Sequence, residues 1–137
     1  MPDAWKGGRT MSENSVNKRI LLVDDSETVL MLERMILQGG GYELATAKNG
    51  REGVAKAIAL KPDLILMDVI MPEMNGFDAI CDLRRREETR SIPILIVTTK
   101  GEEESMVTGY ECGCNDYISK PIDSLELLTK IRSFLGE

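Results

Sequence analysis

The chain alternates five short β-type apolar runs, at residues 20–23, 42–47, 64–67, 94–97 and 117–118, with longer stretches of helical period, and no other feature constrains its fold as tightly. The Ile, Leu and Val content of the runs is nearly continuous, which fits strands covered on both faces, and strands alternating with helices build a parallel sheet. Between the runs, Val29, Leu32, Met35 and Ile36 share an apolar helical face, as do Val54, Ala57 and Ile58, then Phe77, Ile80 and Cys81, then Met106, Val107 and Tyr110, and finally Leu128, Ile131 and Leu135. Punctuation agrees: Gly39, Gly40 and Gly41 stop the first helix, Lys61 and Pro62 follow the second, and Asp123 with Glu126 resembles a capping box opening the last. The expectation is an α/β fold of five β/α repeats, with right-handed crossovers placing helices on both faces and ligands gathering beyond the carboxyl ends of the strands.

At 137 residues the chain has the size of one domain. Residues 18–137 carry the repeats. Residues 1–17 hold Gly7, Gly8, Ser12 and Asn14, lack the apolar block of a secretory signal, and are expected to form a flexible tail in which Trp5 is solvated. No apolar run approaches membrane-spanning length, so membrane insertion is not expected. The net charge is −6, and the one basic cluster, Arg84, Arg85 and Arg86, runs straight into Glu87 and Glu88. Such a mixed run reads as a solvated helix face, which argues against direct nucleic-acid binding. Cys81, Cys112 and Cys114, in a chain without histidine, give no recognised zinc-ligand spacing and read as small side chains in a reducing, cytoplasmic setting.

The polar residues at the strand ends carry the chemistry. Asp24 and Asp25 follow the first run, Asp68 the third and Thr98 the fourth, and Lys120 lies just past the fifth. Three carboxylates held close together repel one another, so without a cation at least one should have a raised pKa. Mg²⁺ fits such a site, since it takes oxygen ligands and keeps positions open for water and phosphate oxygens. A calcium loop of the EF-hand kind needs acids at alternate positions followed by Gly, whereas Asp24, Asp25 and Ser26 are consecutive and enter a helix. With a metal and a lysine facing a carboxylate, the chemistry expected is phosphoryl transfer. Asp68 is the nucleophile candidate because it closes a buried strand, Lys120 would pair with a phosphoryl oxygen, Asp25 would hold the metal with help from Asp24, and Thr98 would donate its hydroxyl. Any one of these residues alone reads as a cap or a turn former; their joint placement at the same edge does not.

Taken in order, residues 21–26 (LLVDDS), 66–68 (LMD), 71–76 (MPEMNG), Thr98 and 117–121 (YISKP) resemble the bacterial response-regulator receiver family, over about residues 18 to 135. The resemblance implies a flavodoxin-like three-layer sandwich with a parallel five-stranded sheet in the order 2-1-3-4-5. It implies Asp68 as phosphoacceptor, Asp24 and Asp25 as the acidic pair with Asp25 a direct metal ligand, the main-chain carbonyl of Ile70 as a further ligand of Mg²⁺, and Lys120 and Thr98 on the phosphoryl group. It also implies Tyr117 as a switch aromatic coupled to Thr98, with the readout on the surface of the fourth helix, fifth strand and fifth helix. The donor would be a phosphohistidine on a sensor histidine kinase or phosphotransfer protein, and with no His in this chain it belongs to another molecule. The domain would catalyse its own Mg²⁺-dependent phosphorylation and dephosphorylation. Past Pro121 only one helix remains, so output is expected through a downstream protein target, with phosphorylation-dependent homodimerisation open as an option. Thr99 stands where many members have a small Ala and adds bulk at the approach to the phosphoryl group, Ile70 and Lys100 occupy positions that the family varies to tune dephosphorylation, and Cys114 in place of a common Ala is a mild packing change.

Two rivals are weaker. A haloacid-dehalogenase-like phosphatase would carry a second acid two residues beyond its nucleophile, where Asp68 is followed by Val69 and Ile70. A phosphorylation-independent interaction module of the same fold would be expected to have lost one of the acids, the Thr or the Lys, and all are present.

Overall fold

A computed structural model of the chain describes residues 17–69, 71, 74–99 and 103–137, with the side chains of 103–106 left out. The tail expected over residues 1–17 therefore lies, Asn17 apart, outside the described residues. The elements run β1 (Arg19–Val23), α1 (Glu27–Gln38), β2 (Glu43–Ala47), α2 (Gly50–Leu60), β3 (Leu64–Asp68), α3 (Gly76–Arg85), β4 (Ile94–Thr99), α4 (Glu103–Cys112), β5 (Asp116–Lys120) and α5 (Ser124–Leu135). The strands are all parallel, in the order β2-β1-β3-β4-β5. This is the flavodoxin-like order expected. No helix among the described residues is long and apolar enough to cross a membrane.

The two-residue period of a strand splits the core in two. From β1, Leu21 and Val23 join Val54, Ala57, Ile80 and Leu83 of α2 and α3 on one face, while Ile20 and Leu22 join Leu30 and Leu37 of α1 and Leu127 and Ile131 of α5 on the other. Strands buried on both faces explain why their sequences show no apolar–polar alternation. Helix starts are set by local caps: Ser26, Asn49, Asn75 and Asp123 each accept a hydrogen bond from a backbone N–H of the first turn. Of the capping box read at Asp123, the aspartate half is present, accepting from Leu125 and Glu126; the Glu126 carboxylate lies 3.4 Å from Lys130 Nζ.

Two helix faces differ from the sequence reading. In α1 the residues buried are Leu30, Glu33 and Leu37, while Leu32 and Met35 are 41% and 68% exposed. Apolar side chains at 29–32 and 35–37 surround most of that helix, so the pattern does not fix its rotation. In α4, Val107 and Tyr110 are 61% and 48% exposed, and Met106 has a side chain outside the described set. The helix meets the sheet through Gly109, where a Cβ would come 2.2 Å from Ile96 Cδ1, so a residue without a side chain makes the contact that periodicity cannot see. The brief fifth strand extends over Asp116–Lys120, which carries Lys120 to the strand end itself.

Candidate functional site

Register puts the polar strand ends at one level. Val23 pairs with Met67, so Asp24 and Asp68 each stand one residue further on neighbouring strands; Asp68 pairs with Val97, next to Thr98, and Thr99 pairs with Lys120. Asp24 is held by its N–H donating to Ala47 O at 3.0 Å, and its Oδ1 accepts from Ser26 N–H at 2.9 Å. Asp68 is fixed from behind. Gly76 opens α3 with its N–H on Val69 O at 3.0 Å, and a Cβ there would lie 2.2 Å from Asp68 O, so only glycine permits α3 to begin this close to the strand end.

The Lys120 ammonium donates to Asp68 Oδ1 at 3.4 Å and lies 3.6 Å from Asp24 Oδ2. Carboxylate oxygens of Asp24, Asp25 and Asp68 lie within 4.8 Å of one another, with Asp25 exposed and the other two buried. Burial, followed by the neighbouring Asp24 charge, pushes the Asp68 carboxyl up to about 6, and burial likewise raises Asp24. At Lys120 burial works to lower the pKa, but the Asp68 and Asp24 charges outweigh it and the net shift is upward. One lysine does not satisfy this pocket: among the described residues neither the buried Asp24 Oδ2 nor the buried Thr98 Oγ1 on β4 has a hydrogen-bond partner. A hard divalent cation that accepts carboxylate oxygens fits the donor set and removes the like-charge conflict.

The sequence-predicted residues Asp24, Asp25, Asp68 and Lys120 are thus brought together, with Thr98 at the same edge. Lys120 is followed by a cis peptide bond to Pro121. The Ile70 carbonyl lies outside the described residues, as does Lys100. Tyr117 is half-buried against the α2–α3 face of the core, with Lys130 Nζ 4.8 Å from its ring centroid and donating to its carbonyl at 2.7 Å. Lys130 was not singled out in the sequence. Nor was Glu33, which is 1% exposed on α1, has Oε1 without a partner among the described residues, and is pushed up to about 8 by burial and then by the Asp24 charge. Its signal was available: an acid four residues before Leu37 and three after Leu30, on the stripe that the fold buries.

Chemically, an ionised carboxylate beside an ammonium, with a buried hydroxyl at the same edge, can present an oxygen nucleophile to an anionic centre and neutralise the charge that develops there. Comparison with known proteins points the same way. The response regulator receiver domain family matches residues 20–132. The protein PilH of Pseudomonas aeruginosa is 44% identical over 86% of this chain and 98% of its own length. Several transcriptional regulators match at 38% identity, and the chain spans about half of their length. Among solved structures, the chemotaxis protein CheY4 of Vibrio cholerae superposes with a TM-score of 0.82 at 34% identity, covering 88% of this chain and all of that one. The receiver domain of the sensor histidine kinase PA1611 from Pseudomonas aeruginosa, solved with a magnesium ion coordinated in its active-site cleft, does so with a TM-score of 0.83 at 28% identity, covering 89% of this chain and 100% of its own.

Proposed function

The chain belongs to the response regulator receiver domain family and is a receiver domain of two-component phosphorelay, and from that premise we propose that Asp68 is its phosphoacceptor and that Mg²⁺ is its cofactor. The observation carrying the proposal is the Lys120 ammonium 3.4 Å from Asp68 Oδ1 and 3.6 Å from Asp24 Oδ2, with Asp25 completing an acidic trio. With its carboxyl at about 6, Asp68 is mostly ionised at neutral pH and can act as nucleophile. Its oxygen attacks phosphorus, the P–N bond of a phosphohistidine breaks, and the imidazole nitrogen leaves with the electron pair. Lys120 faces one phosphoryl oxygen, and the Thr98 hydroxyl, which has no hydrogen-bond partner among the described residues, donates to another. Asp24, Asp25, Asp68 and the Ile70 carbonyl would hold Mg²⁺, which when bound supplies positive charge to the phosphoryl oxygens.

Receiver domains work with histidine kinases and downstream targets. For this chain the proposed donor is a sensor histidine kinase or phosphotransfer protein in the cytoplasm, and the proposed output is a protein target read through α4, β5 and α5, with a phosphorylation-dependent homodimer as the other form of output. Phosphorylation of Asp68 would favour the arrangement of Thr98 and Tyr117 that binds the phosphoryl group better, which is the differential interaction a switch requires. The test is intact-mass measurement after incubation with acetyl phosphate. The expected result is one phosphoryl adduct that needs Mg²⁺ and is lost in Asp68→Asn; no adduct would favour the phosphorylation-independent module, and an adduct surviving the substitution would place the acceptor elsewhere.

A further inference from the structure

Apart from the acidic pocket, the described residues bring a second reactive pair together. Cys81 on α3 and Cys112 at the end of α4 are 31 residues apart in sequence, yet the Cys81 thiol donates to Cys112 Sγ at 2.7 Å. We propose that Cys81 and Cys112 are an oxidation site, closing a reversible intramolecular disulfide that ties α4 to α3 when the protein meets a hydroperoxide. An S–S bond is about 2.05 Å long and forms only between cysteines whose backbones already bring the sulfurs together. Here a small movement completes it. Both residues are half-buried, so a molecule as small as hydrogen peroxide reaches them from solvent.

The pairing is selective. Cys114 lies only two residues from Cys112, but it is buried under α4, where its Sγ would be 3.2 Å from a Cβ on Gly109. Burial pushes the Cys112 thiol up to about 12 and that of Cys114 up to about 11, so neither offers much thiolate at neutral pH. Both sulfurs of the pair are half-buried, and the oxidation can begin at either, Cys81 for instance. Its sulfur attacks a peroxide oxygen, the O–O bond breaks, and the thiol proton leaves with the departing hydroxide as water, giving a sulfenic acid. Cys112 sulfur then attacks the sulfenyl sulfur, the S–O bond breaks, and hydroxide leaves with the Cys112 proton as a second water. The sum is two thiols and one hydrogen peroxide giving one disulfide and two waters, a two-electron oxidation that dithiothreitol reverses.

The bond would pin the C-terminal end of the helix that exposes Val107 and Tyr110, so it acts on a different element from the acidic pocket. The test uses the full chain, reduced and then treated with hydrogen peroxide, with thiols counted in denaturant and cross-linked peptides mapped without reductant. The expected result is loss of two of the three titratable thiols, a Cys81–Cys112 linked peptide, and a melting temperature that rises on oxidation and returns with dithiothreitol; Cys114→Ser should lose both of its two thiols and keep the linked peptide and the rise. Cys81→Ser and Cys112→Ser should each abolish the linked peptide and the rise. Oxygen adducts without linkage, linkage through Cys114, or only intermolecular disulfides in the unsubstituted chain would overturn the proposal. None of these readouts depends on phosphorylation.

Discussion

Replacing Glu33 by Gln tests how strongly the fold tolerates charge beneath the acidic pocket. Glu33 is 1% exposed, its Oε1 has no partner among the described residues, and the charged groups acting on it there are Asp24, Lys120 and Asp68. Burial raises its pKa from 4.5 to about 8. A carboxyl with a higher pKa folded than unfolded binds more protons in the folded state, so stability is lost as pH rises from the unfolded value to the folded one. Each pH unit in that window is worth about 1.4 kcal/mol, so the interval from pH 5 to pH 8 carries about 3 kcal/mol through this one residue. Glutamine cannot ionise. Asp24 and Asp68 also have raised values and contribute to the slope in both proteins, so the comparison between them isolates Glu33. Urea unfolding with EDTA should show the unsubstituted chain losing about 3 kcal/mol more than Glu33→Gln between pH 5 and pH 8, or about 2 M in midpoint at an m-value of about 1.5 kcal/mol/M. Any isosteric cost of the amide is an offset that does not change with pH. Parallel pH profiles for the two proteins would refute the argument that Glu33 is held protonated by burial.

Lys120→Met should raise the Asp68 pKa further by removing its nearest positive charge and slow phosphorylation by acetyl phosphate about 10²-fold or more, read as the rate of adduct formation by mass. Thr98→Val removes a buried hydroxyl without a partner among the described residues, so it should stabilise the unphosphorylated protein by about 1 kcal/mol in urea while slowing phosphorylation. Gly76→Ala should destabilise by about 1–3 kcal/mol, because its Cβ would lie 2.2 Å from a backbone oxygen that cannot swing aside; an unchanged urea midpoint would contradict the packing described. Mg²⁺ affinity measured by calorimetry should fall as pH drops through about 6, approaching tenfold per pH unit below it, as Asp68 takes up a proton that competes with the metal.

The architecture was legible because strands buried on both faces and helices of clear period leave a pattern that few folds share. Asp24, Asp25, Asp68, Thr98 and Lys120 were legible for a related reason: each stands at the carboxyl end of a strand, and the resemblance to the receiver family implied the strand order that sets those ends side by side. What was not legible depended on rotation and on missing atoms. α1 carries apolar side chains round most of its circumference, so its buried stripe was misplaced and Glu33 was not singled out. α4 touches the sheet through Gly109, which has no hydrophobicity to read. Cys81 and Cys112 looked unrelated because only the packing of α3 on α4 brings residues 31 apart in sequence into contact.

The central claim is that phosphoryl transfer ends on one named oxygen. Borohydride reduction of the chain after acetyl phosphate and Mg²⁺, followed by peptide mapping, reads that directly, since an acyl phosphate is reduced to the alcohol where an unmodified carboxylate is not. The account predicts homoserine at position 68, dependent on Mg²⁺ and absent when Asp68 is Asn; homoserine at another acidic position, or none in a chain that binds Mg²⁺, would contradict it.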